Sequence, residues 1–271
     1  MTIILTVHGK DFVILGSDSR GTDQLEDGSR VESNVVQKVW PAGEYIRVLL
    51  CGEGDYAYNL YDIFQARYGT SHVDVRDAAN HLAEVAREDA RQLKGVPGAF
   101  EYGSGIGFIV TGLNFEREQV RPMSFSMSSD DGYKLHLTQL GYCIDGKSPI
   151  PRYILVKHYD RQKIEDDLSR LAAHAICEVG SVDSDVGGNV RIAIIERAGY
   201  RDYTDKAVNI MLSEPIEKQP EPQQPPPPEE KPDTPIGTPP RRSLPDRPAS
   251  ARPQKGHAPA RPRKAHTRQP N

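Results

Sequence analysis

The sequence predicts an α+β protein in which two antiparallel sheets face each other and a pair of helices covers the outer side of each, a four-layer αββα sandwich. Apolar patterns follow the order four strands, two helices, several strands, two helices and two strands. Helices that come in pairs between sets of strands do not fit the alternation of βαβ units. The composition changes at about residue 215, so the sandwich is assigned to residues 1–214.

Short apolar runs bounded by turn residues predict the strands at the start of the chain. They are Ile3–Val7, Phe12–Ser17, Val35–Trp40 and Ile46–Cys51. The first two are joined by a turn that contains Gly9 and Asp11, residue types that tolerate turn geometry. Between Asp18 and about Asn34 the sequence is polar, and we predict a loop there.

Apolar residues at helical spacing predict four helices, Tyr56–Tyr68, Val75–Leu93, Pro151–Tyr159 and Arg161–Val179. The second is the clearest, with Asp74 as its N-cap and Gly95 beyond its end. The remaining apolar runs predict five strands, Gly105–Leu113, Gln119–Phe125, Tyr133–Gln139, Asn189–Glu196 and Ala207–Leu212.

The segment from residue 215 to 271 has a different composition from the rest. Seventeen of the chain's 22 prolines lie in it, and it has no aromatic residue. Such a segment cannot bury enough apolar surface to offset the entropy lost on ordering. We predict a disordered, Pro-rich tail.

Charge is unevenly distributed within that tail. Its first half is acidic and Pro-packed, whereas nine Lys and Arg residues follow Pro240. Two alternatives remain open. The tail is either a solvated segment with no fixed partner or a recruiting arm, whose basic half binds an acidic partner and whose Pro-rich half docks into a grooved one.

Several classes of protein are disfavoured by the sequence. No apolar run approaches 18 residues, which predicts a soluble, cytoplasmic protein without a membrane partner. Cys51, Cys143 and Cys177 form no CxxC pair, and the histidines show no metal-ligand spacing. Neither a P-loop nor a dinucleotide fingerprint is present, so we expect neither a metal nor a cofactor.

Thr2 is the first candidate for chemistry. Its small side chain favours enzymatic removal of Met1, which would leave a threonine with both a hydroxyl and a free α-amine. A hydroxyl is a poor nucleophile until a base takes its proton, and an unperturbed terminal amine has a pKa of roughly 7.7–8.0. The amine of such a residue can therefore activate its own hydroxyl.

Three further motifs stand at informative distances from Thr2. Asp18 begins Asp-Ser-Arg-Gly-Thr and follows Thr2 by sixteen residues. Lys38 lies in the third predicted strand, and Gly52 follows it by fourteen residues. In both residue type and spacing the chain resembles the proteasome β-subunit family and its bacterial ring-forming relatives, the N-terminal threonine peptidases. The resemblance extends to about residue 200, and the tail has no counterpart in it.

The resemblance implies a role for each matching residue. Thr2 Oγ would attack the scissile carbonyl, while the Thr2 amine, through a water, would take the hydroxyl proton. Lys38 would favour loss of that proton, and Asp18 would orient Lys38. The Gly52 N–H would stabilise the oxyanion. Asp183 matches a family aspartate near the terminal amine, whereas Gly146 and Val186 stand where the family has serines.

The same resemblance places substrate-binding residues around Thr2. They are Arg20, Gly21, Thr22, Leu50 and Gly54. Some of them would line the pocket for a substrate side chain, and others would pair with the peptide as an added strand.

Three functions follow as alternatives. The first is a threonine peptidase that hydrolyses peptide bonds within a homo-oligomeric ring, with an ATPase or adaptor as a further partner. The second is a non-catalytic proteasome-like scaffold or binding subunit. The third is a stand-alone amidase of the same fold, because a fold does not fix the substrate.

Overall fold

The structure, a computed structural model, describes residues 2–24, 27, 29–94, 105–116, 119–146 and 148–216. Its strands are β1 Ile4–His8, β2 Val13–Ser17, β3 Gly21–Gln24, β4 Arg30–Ser33, β5 Val39–Gly43, β6 Ile46–Cys51, β7 Gly107–Glu116, β8 Gln119–Ser128, β9 His136–Leu137, β10 Tyr142–Asp145, β11 Arg191–Glu196 and β12 Gly199–Asp202. Its α-helices are α1 Gly54–Tyr68, α2 Val75–Leu93, α3 Ile150–His158, α4 Glu165–Val182 and α5 Asp205–Ser213.

Two five-stranded sheets form the centre of the molecule. The first sheet has the order β10-β1-β2-β11-β12, and the second sheet has the order β5-β6-β7-β8-β9. The strand pairs within both sheets are antiparallel. A separate hairpin consists of β3 and β4.

Three apolar layers hold these elements together. Ile4, Val13 and Leu15 of the first sheet pack against Leu49 and Ile109 of the second sheet, which forms the layer between the sheets. Helices α1 and α2 bury their apolar faces on the outer side of the second sheet. Helices α3, α4 and α5 cover the first sheet in the same way. The αββα prediction is therefore confirmed, with three helices rather than a pair on one side.

Most elements lie close to their predicted positions. Helix α2 spans Val75–Leu93 as predicted, and the Asp74 carboxylate caps it by accepting hydrogen bonds from the N–H groups of Arg76 (2.7 Å) and Asp77 (3.1 Å). Gly95, expected beyond its end, lies outside the described residues. None of the described helices is long and apolar enough to cross a bilayer.

The prediction of a loop over Asp18–Asn34 was wrong in part. The segment contains the β3–β4 hairpin, in which Gly21 pairs with Ser33 and Thr22 with Glu32. This hairpin belongs to neither large sheet, so it needs no buried apolar face and shows no hydrophobic alternation. The third predicted strand accordingly begins later, at Val39, and Lys38 directly precedes it.

The strand predicted at Ala207–Leu212 was also wrong, because that run lies in α5. The Thr204 hydroxyl accepts a hydrogen bond from the Ala207 N–H at 3.2 Å and caps the helix. Val208 is buried, whereas Ile210 is 52% exposed. A short apolar run does not distinguish a strand from a helix by periodicity, and the N-cap two residues before Lys206 was the missed signal.

Two strands of the first sheet were not predicted. β10 pairs with β1, and β12 pairs with β11. Both have only four residues, too few for a period of two to stand out. Conversely, the strand predicted at Tyr133–Gln139 is reduced to His136–Leu137.

Candidate active site

The candidate site lies where β1 begins and β2 ends. Thr2 directly precedes β1, and Asp18 directly follows β2. The Ile3 N–H donates to Asp18 Oδ1 at 3.0 Å, and the Asp18 N–H donates to the Ile3 carbonyl oxygen at 3.3 Å. Asp18 therefore fixes the chain at the residue next to Thr2.

Lys38 connects the second sheet to this point. Its Nζ lies 3.2 Å from Thr2 Oγ1 and 2.7 Å from Asp18 Oδ1. A third hydrogen bond runs from Nζ to the Arg20 carbonyl oxygen at 2.8 Å. Because a lysine ammonium has three donors, these contacts fix its position in three directions.

The ion pair between Lys38 and Asp18 is shielded from solvent. Asp18 is 1% exposed and Lys38 is 5% exposed. Burial lowers the pKa of Lys38 below its usual value, and the charge of Asp18 acts in the opposite direction. A buried ammonium beside a hydroxyl favours the deprotonated form of that hydroxyl, because it offsets the charge that develops on oxygen.

A loop from the end of α4 supports Asp18 from the other side. The Gly187 N–H donates to Asp18 Oδ2 at 3.3 Å. The Gly187 carbonyl oxygen accepts hydrogen bonds from the N–H groups of Ser19 at 3.2 Å and Arg20 at 3.0 Å. Both carboxylate oxygens of Asp18 are thus held, and the direction of the group is fixed.

The backbone conformation at residue 52 is one that favours glycine. Gly52 directly follows β6 and has a φ of 98°, in the region that side chains rarely adopt. A Cβ at this position would collide with the Gly105 carbonyl oxygen and would lie 2.8 Å from Ile106 Cα. Gly54 begins α1, and a Cβ there would meet open space.

The other predicted substrate-binding residues lie on two elements beside this cluster. Gly21 and Thr22 begin β3, which pairs with β4 on one side only among the described strands. The Leu50 N–H donates to the Lys38 carbonyl oxygen at 3.0 Å, and its side chain is buried in the layer under α1 and α2. The Arg20 guanidinium donates to the Ser184 carbonyl oxygen at 2.5 Å and so ties β2 to the loop after α4.

Among the described residues, no contact joins Asp183 to Thr2, Asp18 or Lys38. Asp183 follows α4, and its carboxylate accepts a hydrogen bond from the Asp185 N–H at 2.9 Å. Its carbonyl oxygen accepts from the Val186 N–H at 3.1 Å. These contacts shape the loop that presents Gly187. Asp183 is therefore connected to Asp18 through this loop, and none of its described contacts is with Thr2.

The sequence pattern did not single out Ser19 as a supporting residue. Its hydroxyl donates to the Asn34 carbonyl oxygen at 2.7 Å and accepts from the Asn189 N–H at 2.8 Å. It joins the segment after β2, the segment before Lys38 and the loop after α4. The available signal was its position between Asp18 and Arg20 in the motif already noted.

Two cavities flank the ion pair. One of about 370 Å³ is bordered by Asp18, Arg20 and the loop around Gly187. The other, of about 240 Å³, is bordered by Lys38, Ser17 and Arg191. Within the described part of the chain, no three His, Cys, Asp or Glu side chains are grouped so that they could hold a metal ion.

Comparison with known proteins supports the interpretation of the fold. No model of a known protein family matches the chain. A proteasome subunit beta from Streptomyces griseus subsp. griseus is 24% identical over 219 residues, which cover 76% of this chain and 72% of that protein.

A solved structure shows the same architecture. The Anbu (Gly-1) mutant from Hyphomicrobium sp. strain MC1 superposes with a TM-score of 0.58 at 14% identity. The match covers 75% of this chain and 85% of that chain. The fold is therefore that of the Anbu structure, and the sequence similarity is to a proteasome subunit beta.

Proposed function

Because its fold and its sequence similarity both relate this chain to the proteasome-like N-terminal nucleophile hydrolases, we propose that it is a threonine-type peptidase whose nucleophile is Thr2. One observation carries the proposal. Thr2 Oγ1 lies 3.2 Å from the ammonium of Lys38, which is itself held by Asp18 at 2.7 Å. An ammonium held beside a hydroxyl favours loss of the hydroxyl proton, which makes the oxygen a better nucleophile.

The reaction begins with attack of Thr2 Oγ on the carbonyl carbon of a peptide bond. The proton of the hydroxyl passes, through a water, to the α-amine that removal of Met1 exposes. Lys38 stabilises the developing charge on Oγ, and the buried Asp18 carboxylate holds Lys38 in place. The attack yields a tetrahedral intermediate, and its C–N bond breaks as the protonated α-amine gives its proton to the departing amine. This leaves an ester between Thr2 and the acyl part of the substrate. Water then hydrolyses the ester, which releases the acid and restores the hydroxyl of Thr2.

Substrate binding would use the backbone near this cluster. The Gly52 N–H would donate to the oxyanion, a contact whose loss typically costs about 2.7–4 kcal/mol of transition-state stabilisation. The open edge of β3 offers Gly21 and Thr22 for pairing with an extended peptide. Leu50 and Gly54 would border the space for the substrate side chain, and Arg20 would hold the neighbouring loop.

We further propose that the chain assembles into a homo-oligomeric ring in the cytoplasm and acts with an ATPase or adaptor. The support is the similarity of this chain to a protein named proteasome subunit beta and to the Anbu structure. Light scattering of the purified protein at micromolar concentration should show a large homo-oligomer. A strictly monomeric profile would contradict this part of the proposal.

The nucleophile is tested by intact-mass measurement on the purified full-length protein. We expect loss of Met1 and then a single covalent adduct on Thr2 after treatment with a peptide epoxyketone, a reagent that reacts with both the hydroxyl and the amine of a terminal threonine. Thr2→Ala is the matched control, because alanine also permits Met1 removal but lacks the hydroxyl. It should form no adduct, whereas Thr2→Ser should form one.

Two results would overturn the proposal. One is a mature protein that retains Met1, because the amine of Thr2 would then be blocked. The other is peptide hydrolysis by Thr2→Ala at the native rate. A folded protein that loses Met1 yet neither forms an adduct nor hydrolyses peptides would instead support the non-catalytic scaffold. Adduct formation with turnover of small amides only would support the amidase.

A further inference from the structure

A partly buried carboxyl, that of Asp145, lies close to the candidate site. Asp145 ends β10, and its backbone pairs with Ile4, two residues after Thr2. Ile4 packs in the layer between the two sheets. Residues opposite each other in an antiparallel pair share a face, so the Asp145 side chain points into the same layer.

The space for this carboxyl is created by a glycine in the second sheet. A Cβ at Gly107 of β7 would overlap with Asp145 Oδ2 and would lie 2.8 Å from Cys51 Sγ. Asp145 and Cys51 therefore meet above Gly107, where any other residue would separate them. Three strands from both sheets contribute to this one contact.

The Asp145 carboxyl and the Cys51 thiol are neighbours at this point. Burial raises the pKa of the Cys51 thiol well above its usual value, so the thiol stays protonated and has a hydrogen to offer to the carboxyl. The Gly146 N–H also donates to Asp145 Oδ1, at 2.8 Å. Gly146 itself has no room for a side chain, since a Cβ there would lie 2.7 Å from the Thr2 carbonyl oxygen.

Charged groups surround this pair on several elements. The charges of Lys38 and Asp145 both act on the Cys51 thiol. Asp130 and Asp131, in the turn after β8, act electrostatically on Asp145. Burial, followed by these two carboxylates, raises the pKa of Asp145 above its usual value.

We propose that Asp145 is a positioning residue for the hydrolysis assigned to Thr2, and that it acts through the Cys51 thiol to hold the end of β6 and thereby the Gly52 N–H that receives the oxyanion. Cys51 is the residue directly before Gly52, so a fixed Cys51 side chain limits the rotation of the peptide group that carries this N–H. The inference rests on the proposed function.

A structural role alone accounts poorly for an acid at this position. The neighbouring positions between the sheets hold apolar side chains, among them Leu49 and Ile109. A carboxyl whose pKa is raised by folding weakens the folded state as the pH rises from its usual pKa through the raised one, because the charged form is better solvated in the unfolded chain. Asp145 is therefore expected to reduce stability at neutral pH, which is typical of residues retained for function.

The test compares four variants of the full-length protein by kcat, KM and melting temperature. Asp145→Ala and Cys51→Ala remove the two partners, whereas Asp145→Asn and Cys51→Ser keep an acceptor and a donor. The two alanine variants should each lower kcat about tenfold with KM within about twofold, because an oxyanion contact acts in the transition state. The two conservative variants should recover most of that loss.

Two further measurements separate positioning from general damage. The double variant of Asp145→Ala and Cys51→Ala should be no slower than either single variant, because the two residues act as one unit. Asp145→Asn should melt no lower than the native protein at neutral pH. Cys143→Ala is the matched control, a buried thiol on the same strand whose loss should leave kcat unchanged.

The possible failures are distinguishable. If the native protein forms no adduct at Thr2, the proposed function fails and this inference fails with it. If the native protein reacts and both alanine variants match its kcat, only the role of Asp145 is overturned. Losses that are additive, or that follow a fall in melting temperature, would equally overturn it.

Discussion

Two clusters of buried polar side chains lie in this sandwich, and they are built differently. One contains the Lys38–Asp18 ion pair beside Thr2. The other centres on Ser124 of β8, whose hydroxyl lies 2.7 Å from His8 Nε2, 3.1 Å from Thr6 Oγ1 and 2.6 Å from Thr111 Oγ1. The Thr111 hydroxyl in turn donates to the Met123 carbonyl oxygen at 3.0 Å.

The difference between the two clusters is one of charge and access. Ser124 and the three side chains around it are at most 4% exposed, and they are uncharged because burial and the charge of Arg161 lower the pKa of His8 to about 4. The other cluster contains an ion pair, and Thr2 beside it remains partly exposed. A buried polar network with mutually satisfied neutral groups joins two sheets, whereas a charged pair beside an accessible hydroxyl is suited to chemistry.

The largest expected effect lies in the charged cluster. Lys38→Ala and Asp18→Asn should each lower kcat at least about a hundredfold. Lys38 favours the ionised form of the Thr2 hydroxyl, and Asp18 holds Lys38 in place. The double variant should lose little more than either single variant. Steady-state hydrolysis of a peptide substrate measures this, and independent, additive losses would argue against a functional pair. Ser124→Ala serves as the control and should keep the native kcat.

Acid should affect the neutral cluster most. The unfolded chain binds a proton at His8 near pH 6.5, whereas the folded chain does so only near pH 4. The folded state therefore loses about 3 kcal/mol of stability from this group as the pH falls through that range. Urea unfolding between pH 7 and pH 4 measures it. His8→Gln should remove this part of the pH dependence, while substitution of the exposed His136 should not; equal curves for His8→Gln and the native protein would contradict the assignment.

A smaller loss of stability is expected from the shared hydroxyl itself. Ser124→Ala leaves three buried polar side chains with one partner fewer, which should lower the free energy of unfolding by about 1–3 kcal/mol. Urea denaturation at neutral pH measures this change. If the variant were instead fully stable but inactive, the division between a structural and a catalytic cluster would be wrong.

The smallest effect is expected from removal of the tail. Ile216 packs against the apolar layer under α3, α4 and α5, so we place the truncation two residues beyond the boundary at residue 214 predicted from composition. Truncation after Ile216 should leave both the melting temperature and peptide hydrolysis unchanged, because the following residues are too polar and Pro-rich to form a core. A truncated protein that loses either property would show that the tail contributes to the domain.

The sequence predicted the charged cluster better than the neutral one, for a physical reason. Thr2, Asp18 and Lys38 lie beside the ends of strands, where a polar residue at a fixed distance is conspicuous. His8, Thr111 and Ser124 lie within or at the end of apolar strands and come from distant parts of the chain. Their contact depends on how the two sheets face each other, which spacing along the chain does not reveal. The same is true of Asp145 and Cys51.

The layers were predicted from periodicity, and the errors fell where periodicity is weak. The β3–β4 hairpin buries no apolar face in either sheet, and α5 has one fully buried apolar residue, Val208. In both cases local hydrogen bonds define the element more strongly than burial does. Helix α2, with seven buried residues on one face, was predicted to its last residue.

The loop around Gly187 has a consequence for how such a chain can diverge. Its contacts with Asp18, Ser19 and Arg20 come from its own peptide groups, through the N–H and carbonyl of Gly187 and the carbonyl of Ser184. At Gly187 and Gly188 a Cβ would come too close to Arg20 and to the Ser19 hydroxyl, so these two positions favour glycine. A side chain of this loop that makes none of these contacts, such as Val186 in the apolar layer, can be exchanged over evolutionary time while the acid beside Lys38 keeps its orientation. A lineage can therefore drift far from its ancestral motif and still inherit the geometry.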